Sequence, residues 1–215
     1  MHMIEFYGLP LSNYSNIVKT ALLEKDIPFE AIMTRPTQDT AYLAKSPMGK
    51  IPCIKTEEGF LAETHPILEY LEEMKPEPRL LPTDAFQRAK VRELVQSLEL
   101  YIELVARRGI GAIFGREVPA DVGASIARDL PVGAAAVSKL VQFSPWIAGA
   151  QFTYADLFGY YTFSLSGLLA QKVCGLDLYQ MIPGSREWFE RVKQRDSVKR
   201  ADADVALARE AMRSK

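Results

Sequence analysis

The chain lacks most of the features that place a protein quickly. Its 215 residues hold two cysteines, Cys53 and Cys174, far apart and without metal-ligand spacing. That excludes a disulfide-stapled scaffold, leaves no metal site to expect, and suits the cytoplasm, where thiols stay reduced. Excess charge of one sign is also missing. The 26 Lys+Arg against 27 Asp+Glu leave a net charge of −1, which gives no electrostatic case for a nucleic acid or an anionic membrane as partner. No apolar run is long enough to span a bilayer. The first residues lead straight into a strand-like segment, with no basic region and apolar stretch of a signal peptide, so no leader is expected. Internal repeats and low-complexity tracts are absent too. What remains is ordinary: 48% hydrophobic and 25% charged residues suit a globular chain of one large or two small domains.

The most organised stretch is 50–71. Lys50-Ile51-Pro52-Cys53-Ile54-Lys55-Thr56 and Phe60-Leu61-Ala62 flank the turn Glu57-Glu58-Gly59, a hairpin signature. Pro52 opens the first run, where it takes a strand's first residue rather than its middle. Glu63-Thr64 closes the hairpin and opens a helix. Thr64 is placed to cap it, Pro66 is tolerated in the first turn, and Ile67, Leu68 and Leu71 form one apolar face.

Upstream, residues 3–7 read as a strand, broken by Gly8-Leu9-Pro10-Leu11. Ser12 or Asn13 caps a helix whose apolar positions Tyr14, Val18, Ala21 and Leu22 fall at helical spacing. It ends near Lys25-Asp26, with Pro28 just beyond. Residues 29–33 read as a second strand, and strand–helix–strand implies parallel neighbours with a right-handed crossover. Residues 34–49 read as a loop with a short helix at 40–44. The order β-α-β-(α)-β-β-α is the thioredoxin arrangement.

Pro76, Pro78 and Pro82 then mark a linker, and no strand pattern follows. Val91, Leu94, Val95, Leu98, Ile102 and Val105 line one face of a long helix, capped by Asp84 and ended or kinked at Gly109-Ile110-Gly111. Residues 118–140 contain Pro119 and Pro131, so one interrupted helix or two short ones are open. Thr153-Tyr154-Ala155-Asp156 is a capping box with Asp in the Glu/Gln place. It opens a helix at 154–173 that is apolar nearly all round and therefore central. Helices at 184–194 and 197–213 close the chain. The expected fold class is α/β plus all-α: a thioredoxin-like domain at 1–75, a linker at 76–84 and an all-helical domain at 85–215.

Three motifs carry a resemblance. Ile51-Pro52, Glu63-Thr64 and residues 153–156, in this order and with the proline-rich linker after the second, resemble the glutathione S-transferase superfamily over essentially the whole length. The resemblance implies the cytosolic fold of that superfamily, a cis Pro52, and Glu63-Thr64 holding the γ-glutamyl end of glutathione. It also implies that glutathione is a cosubstrate rather than a bound cofactor, that a small hydrophobic electrophile is the other substrate, and that the chain forms a twofold homodimer. Ser12-Asn13-Tyr14-Ser15 matches the Ser-x-(Phe/Tyr)-Ser of the serine-type members, in which the first hydroxyl stabilises the thiolate. It falls where thioredoxin folds place Cys-x-x-Cys, and without those cysteines dithiol exchange is ruled out there. The motif also resembles the class that includes maleylacetoacetate isomerase, whose Ser-Ser-Cys is replaced here by Ser12-Asn13-Tyr14. An isomerase or peroxidase on the same site is the enzymatic alternative. A non-catalytic interaction or regulatory protein is the other, against which the retained motifs argue.

The residues themselves leave choices open. A hydroxyl at a helix N-terminus can donate to a thiolate, aided by the helix dipole and free amides. Ser12 is read as that donor; the alternative is a plain cap, and the two roles are expected to compete. Tyr7 is a rival phenol, although strand alternation packs it on the sheet. Ile51 before a cis proline would offer its N–H and C=O to the cysteinyl unit of glutathione by strand addition; a trans Pro52 would merely start a strand. Lys50 either reaches the glycine carboxylate or is a solvated lysine. Thr64 and the helix amides suit the γ-glutamyl carboxylate and Glu63 its ammonium, or the pair is an ordinary helix start. His65 is given no role. Cys53 and Cys174 are expected to be buried, Cys53 pointing away from Ile51's side, and Asp156 to be structural. An electrophile pocket between the domains would draw on Leu11, Tyr14, Tyr101 and Arg108, with Gln38 and Lys45 near the glycine end of glutathione.

Overall fold

A computed structural model describes residues 3–213; Met1 and His2, part of the expected leaderless start, lie outside the described residues. The described residues form two compact units, 3–80 with 194–213, and 81–193. In the first, the elements are β1 (Ile4–Gly8), α1 (Asn13–Glu24), β2 (Phe29–Met33), α2 (Thr40–Leu43), β3 (Cys53–Lys55), β4 (Phe60–Ala62) and α3 (Thr64–Met74). The sheet order is β2-β1-β3-β4, with β1 parallel to β2 and antiparallel to β3, and β3 antiparallel to β4. This is the thioredoxin-like arrangement that the element order predicts.

Period-2 alternation divides the sheet. Tyr7 and Cys53, paired across β1 and β3, share one face with Tyr42, Ile32 and Ile51. Phe6 and Ile54, the next pair, belong to the other face. Ile17, Val18, Ala21 and Leu22 of α1, with Ile67, Leu68 and Leu71 of α3, are fully or almost fully buried. Each of the Ile, Leu and Val side chains contributes about 1.5–3 kcal/mol.

The second unit contains α4 (Ala85–Leu98), a π-helical stretch Glu99–Glu103, the single turn α5 (Leu104–Ala106), a 3-10 stretch Arg107–Phe114, α6 (Ala120–Ser138), α7 (Tyr154–Cys174), α8 (Leu178–Met181) and α9 (Ser185–Lys193). The expected long helix therefore widens at Glu99, before the glycines that were to end it. Gly133 on α6 lies where an added Cβ would come within 2.2 Å of the Tyr101 carbonyl oxygen, so the widened turn and α6 touch backbone to backbone. Pro131 does not split α6. The carbonyl its ring leaves without a donor belongs to exposed Ala127, while Ile126, Leu130, Ala134 and Val137 hold the buried face.

α7 is central, as its sequence implies. Asp156, fully buried, accepts from the N–H of Thr153 at 2.8 Å, the N–H of Ile147 at 2.8 Å, the Trp188 indole at 2.8 Å and the Thr153 hydroxyl at 3.3 Å. Its role is structural.

The last helix, α10 (Asp196–Arg213), departs from the expected division, which grouped it with the helices after residue 85. By compactness it belongs with the first unit. Arg195 binds Glu24 with two hydrogen bonds of 2.6 Å, the Ser197 hydroxyl donates to the same carboxylate, and Lys19 pairs with Asp204. Among the described residues no helix is long and apolar enough to cross a membrane.

Candidate functional site

Strand register gathers the motifs. Tyr7 pairs with Cys53, and Cys53 with Ala62. The residues just past these positions, Gly8 to Ser12 on one side and Pro52 and Glu63 on the others, therefore lie at one end of the sheet. Two helix N-termini, of α1 and α3, start from that same end.

Ser12 is the N-cap of α1, with extended backbone (φ −92°, ψ 117°) and an oxygen that accepts from the Ser15 N–H at 3.2 Å. Capping uses a lone pair and leaves the hydroxyl proton to donate elsewhere. The expected competition between capping and thiolate donation is thus removed by the chemistry of the hydroxyl. Behind it, the buried Asn16 side chain donates to the Pro10 carbonyl at 2.8 Å, and the Ser15 hydroxyl accepts from the Leu9 N–H at 3.4 Å.

Tyr7 is committed elsewhere. It is 6% exposed, and its hydroxyl donates to Glu5 at 2.5 Å. Burial, then the Glu5 carboxylate, push the phenol up to about 12. Lys55, the Tyr7 hydroxyl and Lys45 hold the Glu5 carboxyl below its usual range. The Lys45 ammonium lies 4.5 Å from the Tyr7 ring centroid and donates to its hydroxyl, which occupies a lysine expected near the ligand. Gln38 donates to the Met48 carbonyl.

The Ile51–Pro52 bond is cis. Among the described residues no backbone hydrogen bond engages the Ile51 N–H or C=O. The Tyr42 hydroxyl, on α2, donates to the Lys50 carbonyl at 3.1 Å and steadies this segment. The Lys50 side chain is exposed. Cys53 is fully buried as expected, its thiol pushed up to about 11 chiefly by burial. It does not point away from Ile51: the two pack in one cluster, because residues two apart on extended chain share a face. Cys174 is only half-buried and lines a separate cavity of the second unit with Arg116 and Lys172.

Thr64 is not the cap of α3 but its first helical residue, 5% exposed. The cap position is Glu63, whose φ of 70° and ψ of 134° lie outside ordinary regions for a residue with a Cβ. Its exposed carboxylate makes no capping bond. Backbone strain of this kind collects at ligand sites, where it aims a side chain.

Leu11 and Tyr14 flank Ser12 in the first unit, Leu11 at 38% exposure. In the second, Tyr101 sits on the π-helical stretch, 49% exposed. Arg108 is held at 2.6 Å by Asp129. Asn16 and Tyr42 were missed by the sequence reading. Asn16 shares its helix face with Lys19 and Thr20, and Tyr42 stands in a helix of four residues, so neither breaks a pattern in the sequence.

The family model described as glutathione S-transferase, N-terminal domain, matches residues 6–79. A glutathione S-transferase of Pseudomonas putida is 38% identical over 94% of this chain and 92% of its own. A maleylacetoacetate isomerase of Pseudomonas aeruginosa is 33% identical over 41% of this chain and 45% of its own. Among solved structures, a glutathione S-transferase from Rhodospirillum rubrum aligns with a TM-score of 0.75 at 27% identity, covering 93% of this chain and 91% of that one.

Proposed function

Since the chain belongs to the glutathione S-transferase family, we propose that it conjugates the thiolate of glutathione to small hydrophobic electrophiles, with Ser12 donating its hydroxyl proton to the sulfur. The observation that carries this reading is the register Tyr7–Cys53–Ala62, which sets a capping hydroxyl, an unpaired backbone segment and an acidic helix start at one sheet end. The chemistry follows from those groups. The Ile51 N–H and C=O pair with the cysteinyl unit as an added strand. The α3 N-terminus and Thr64 take the γ-glutamyl carboxylate, Glu63 takes its ammonium, and Lys50 takes the glycine carboxylate. The sulfur then lies at the N-terminus of α1, where the Ser12 hydroxyl and the helix dipole favour its ionised form. Leu11 and Tyr14, beside Ser12, are proposed to face the electrophile. Glutathione is consumed as a cosubstrate. A cytoplasmic twofold homodimer completes the proposal, and sedimentation tests the dimer.

The deciding experiment is calorimetric titration with glutathione together with ultraviolet titration of the bound thiol. Ser12→Ala should leave affinity within about twofold and lower kcat about tenfold or more, since its bond matters to the thiolate. An equal loss from Ser12→Ala and Tyr14→Phe would refute the assignment. Similarity to a maleylacetoacetate isomerase over part of the chain supports a second reading, glutathione-dependent isomerisation at the same site, which turnover of a cis-enone diacid would reveal. Absence of glutathione binding at millimolar concentration would favour an interaction protein.

A further inference from the structure

A cavity of about 450 Å³ that opens to solvent lies beside the turn leading to Ser12, within the first unit, lined by Gly8, Leu9, Pro10 and Asn16 and by the exposed Met33 and Leu207. Packing therefore leaves the turn room to shift. Besides its own bond from the Ser12 N–H to the Leu9 carbonyl at 2.9 Å, the turn is held by a pair of buried polar side chains of α1, Ser15 at 1% and Asn16 at 4% exposure. A buried carboxamide is costly unless bonded, and Asn16 is bonded at both ends of the segment that matters. Its backbone N–H donates to the Ser12 carbonyl at 3.0 Å, and its side-chain amide donates to the Pro10 carbonyl at 2.8 Å. The two bonds bracket Leu11-Ser12. Proline brings no N–H of its own, so its carbonyl is the handle by which the Pro10–Leu11 peptide plane can be fixed. Gly8 completes the grip: an added Cβ would lie 2.7 Å from the Phe6 ring and 3.1 Å from the Ser15 hydroxyl, so the strand end passes close to the side chain that accepts from Leu9.

We propose that Asn16 is a positioning residue for the reaction, one that aims the Ser12 hydroxyl at the sulfur by fixing the Pro10–Leu11 peptide plane. The inference rests on the role given to Ser12 above. A hydroxyl donor is effective only within a narrow cone, and its bond weakens steeply as the angle closes. With the amide gone, the turn relaxes toward the cavity, and the hydroxyl still caps α1 while losing its aim. Glutathione's anchoring groups, at Ile51 and Glu63–Thr64, are on other elements and are not disturbed.

The test uses the full-length protein, glutathione, and 1-chloro-2,4-dinitrobenzene as a probe electrophile. Asn16→Leu keeps the side chain's size and removes its donor. It should raise the bound-thiol pKa by about one unit, a tenfold loss of thiolate at pH values below it. It should lower kcat several-fold and leave the KM for glutathione within about twofold. Asn16→Gln has cavity to extend into and should recover at least half of the shift. Should Asn16→Leu not fold, Asn16→Ser, too short to reach Pro10, takes its place. An unmoved thiol pKa, in a variant set where Ser12→Ala raises it, overturns the positioning role and leaves the function standing. A thiol pKa that Ser12→Ala also fails to move overturns the reading of Ser12 itself, and this inference with it.

Discussion

Replacing Lys25 by methionine removes a charge that the fold has buried completely. The Lys25 ammonium uses all three of its hydrogens: on Glu72 at 2.6 Å, on the Lys75 carbonyl at 2.7 Å and on the Pro78 carbonyl at 2.9 Å. The two side chains are 0% and 5% exposed, and both Glu72 oxygens accept from the Leu80 N–H at 3.1 Å. The cluster thus ties the C-terminal ends of α1 and α3 to the segment at 75–80, far along those helices from the N-termini that carry Ser12 and Glu63. Methionine keeps the stem and deletes the head. The carbonyls of half-buried Lys75 and exposed Pro78 can turn to water at little cost, so the dominant loss is the counter-charge of Glu72. Breaking a buried pair in this way costs about 3–5 kcal/mol, and in a chain of this size each kcal/mol lowers Tm by about 2–4 °C. Lys25→Met should therefore melt about 6–20 °C below the parent by circular dichroism, with glutathione turnover at low temperature unchanged. The double variant Lys25→Met/Glu72→Leu removes the stranded charge as well and should recover most of the loss, giving a coupling energy of about 2 kcal/mol or more in the cycle. A single variant costing less than about 1 kcal/mol, or a cycle that is additive, would refute the argument.

Three further outcomes follow from the site and its support. Glu63→Gly should be about 1–2 kcal/mol more stable to urea than Glu63→Ala, because only glycine is relaxed at a φ of 70°, while both variants lose glutathione affinity about tenfold; equal stabilities would show that the cap is unstrained. Tyr42→Phe, which deletes the bond to the Lys50 carbonyl, should raise the KM for glutathione about threefold to tenfold without moving the bound-thiol pKa, the reverse of the pattern expected at Asn16. Burial outweighs the hydrogen bonds at Asp156 and pushes its carboxyl up to about 6, so the native state holds that proton more tightly than the unfolded chain does. The stability it contributes is full below about pH 4 and is lost as the pH rises through 6, about 3 kcal/mol in all. The urea deficit of Asp156→Asn, followed through tryptophan fluorescence, should shrink over that range. A deficit that grows with pH would mean that the donors, not burial, govern the group.

The strands and the motif-bearing ends were readable because they rest on local rules. The apolar runs at 4–8 and 29–33 and the Gly59 hairpin each declare themselves within a few residues. What could not be read rests on partners distant in sequence or on backbone geometry that leaves no residue signature. The allegiance of α10 is set by Glu24, Arg195 and Ser197, more than 170 residues apart. The widening at Glu99–Glu103 is invisible because Leu98, Ile102 and Val105 keep spacings of four and three that suit an ordinary helix equally well. Glutamate carries no hint of a positive φ, so Glu63 read as an acid beside a cap rather than as the strained cap position itself.

The candidate site shows the same division, and its physical cause is burial. Of the groups proposed to touch glutathione, Thr64 is buried, whereas Ser12, Lys50 and Glu63 are not and sit at a helix start or in a loop. There, residue type and position together point to chemistry. The groups that hold them are buried polar residues within helices, Asn16 and Tyr42. Asn16 shares its helix face with Lys19 and Thr20, so in the sequence it reads as part of a polar side. In the fold it must be bonded, since an unpaired buried donor costs about 1–3 kcal/mol. For Asn16 and Tyr42 the acceptors are backbone carbonyls beside the residues proposed to act. A polar residue in a helix next to a loop that carries chemistry is therefore a candidate support in its own right, and in this chain Asn16 and Tyr42 are such residues.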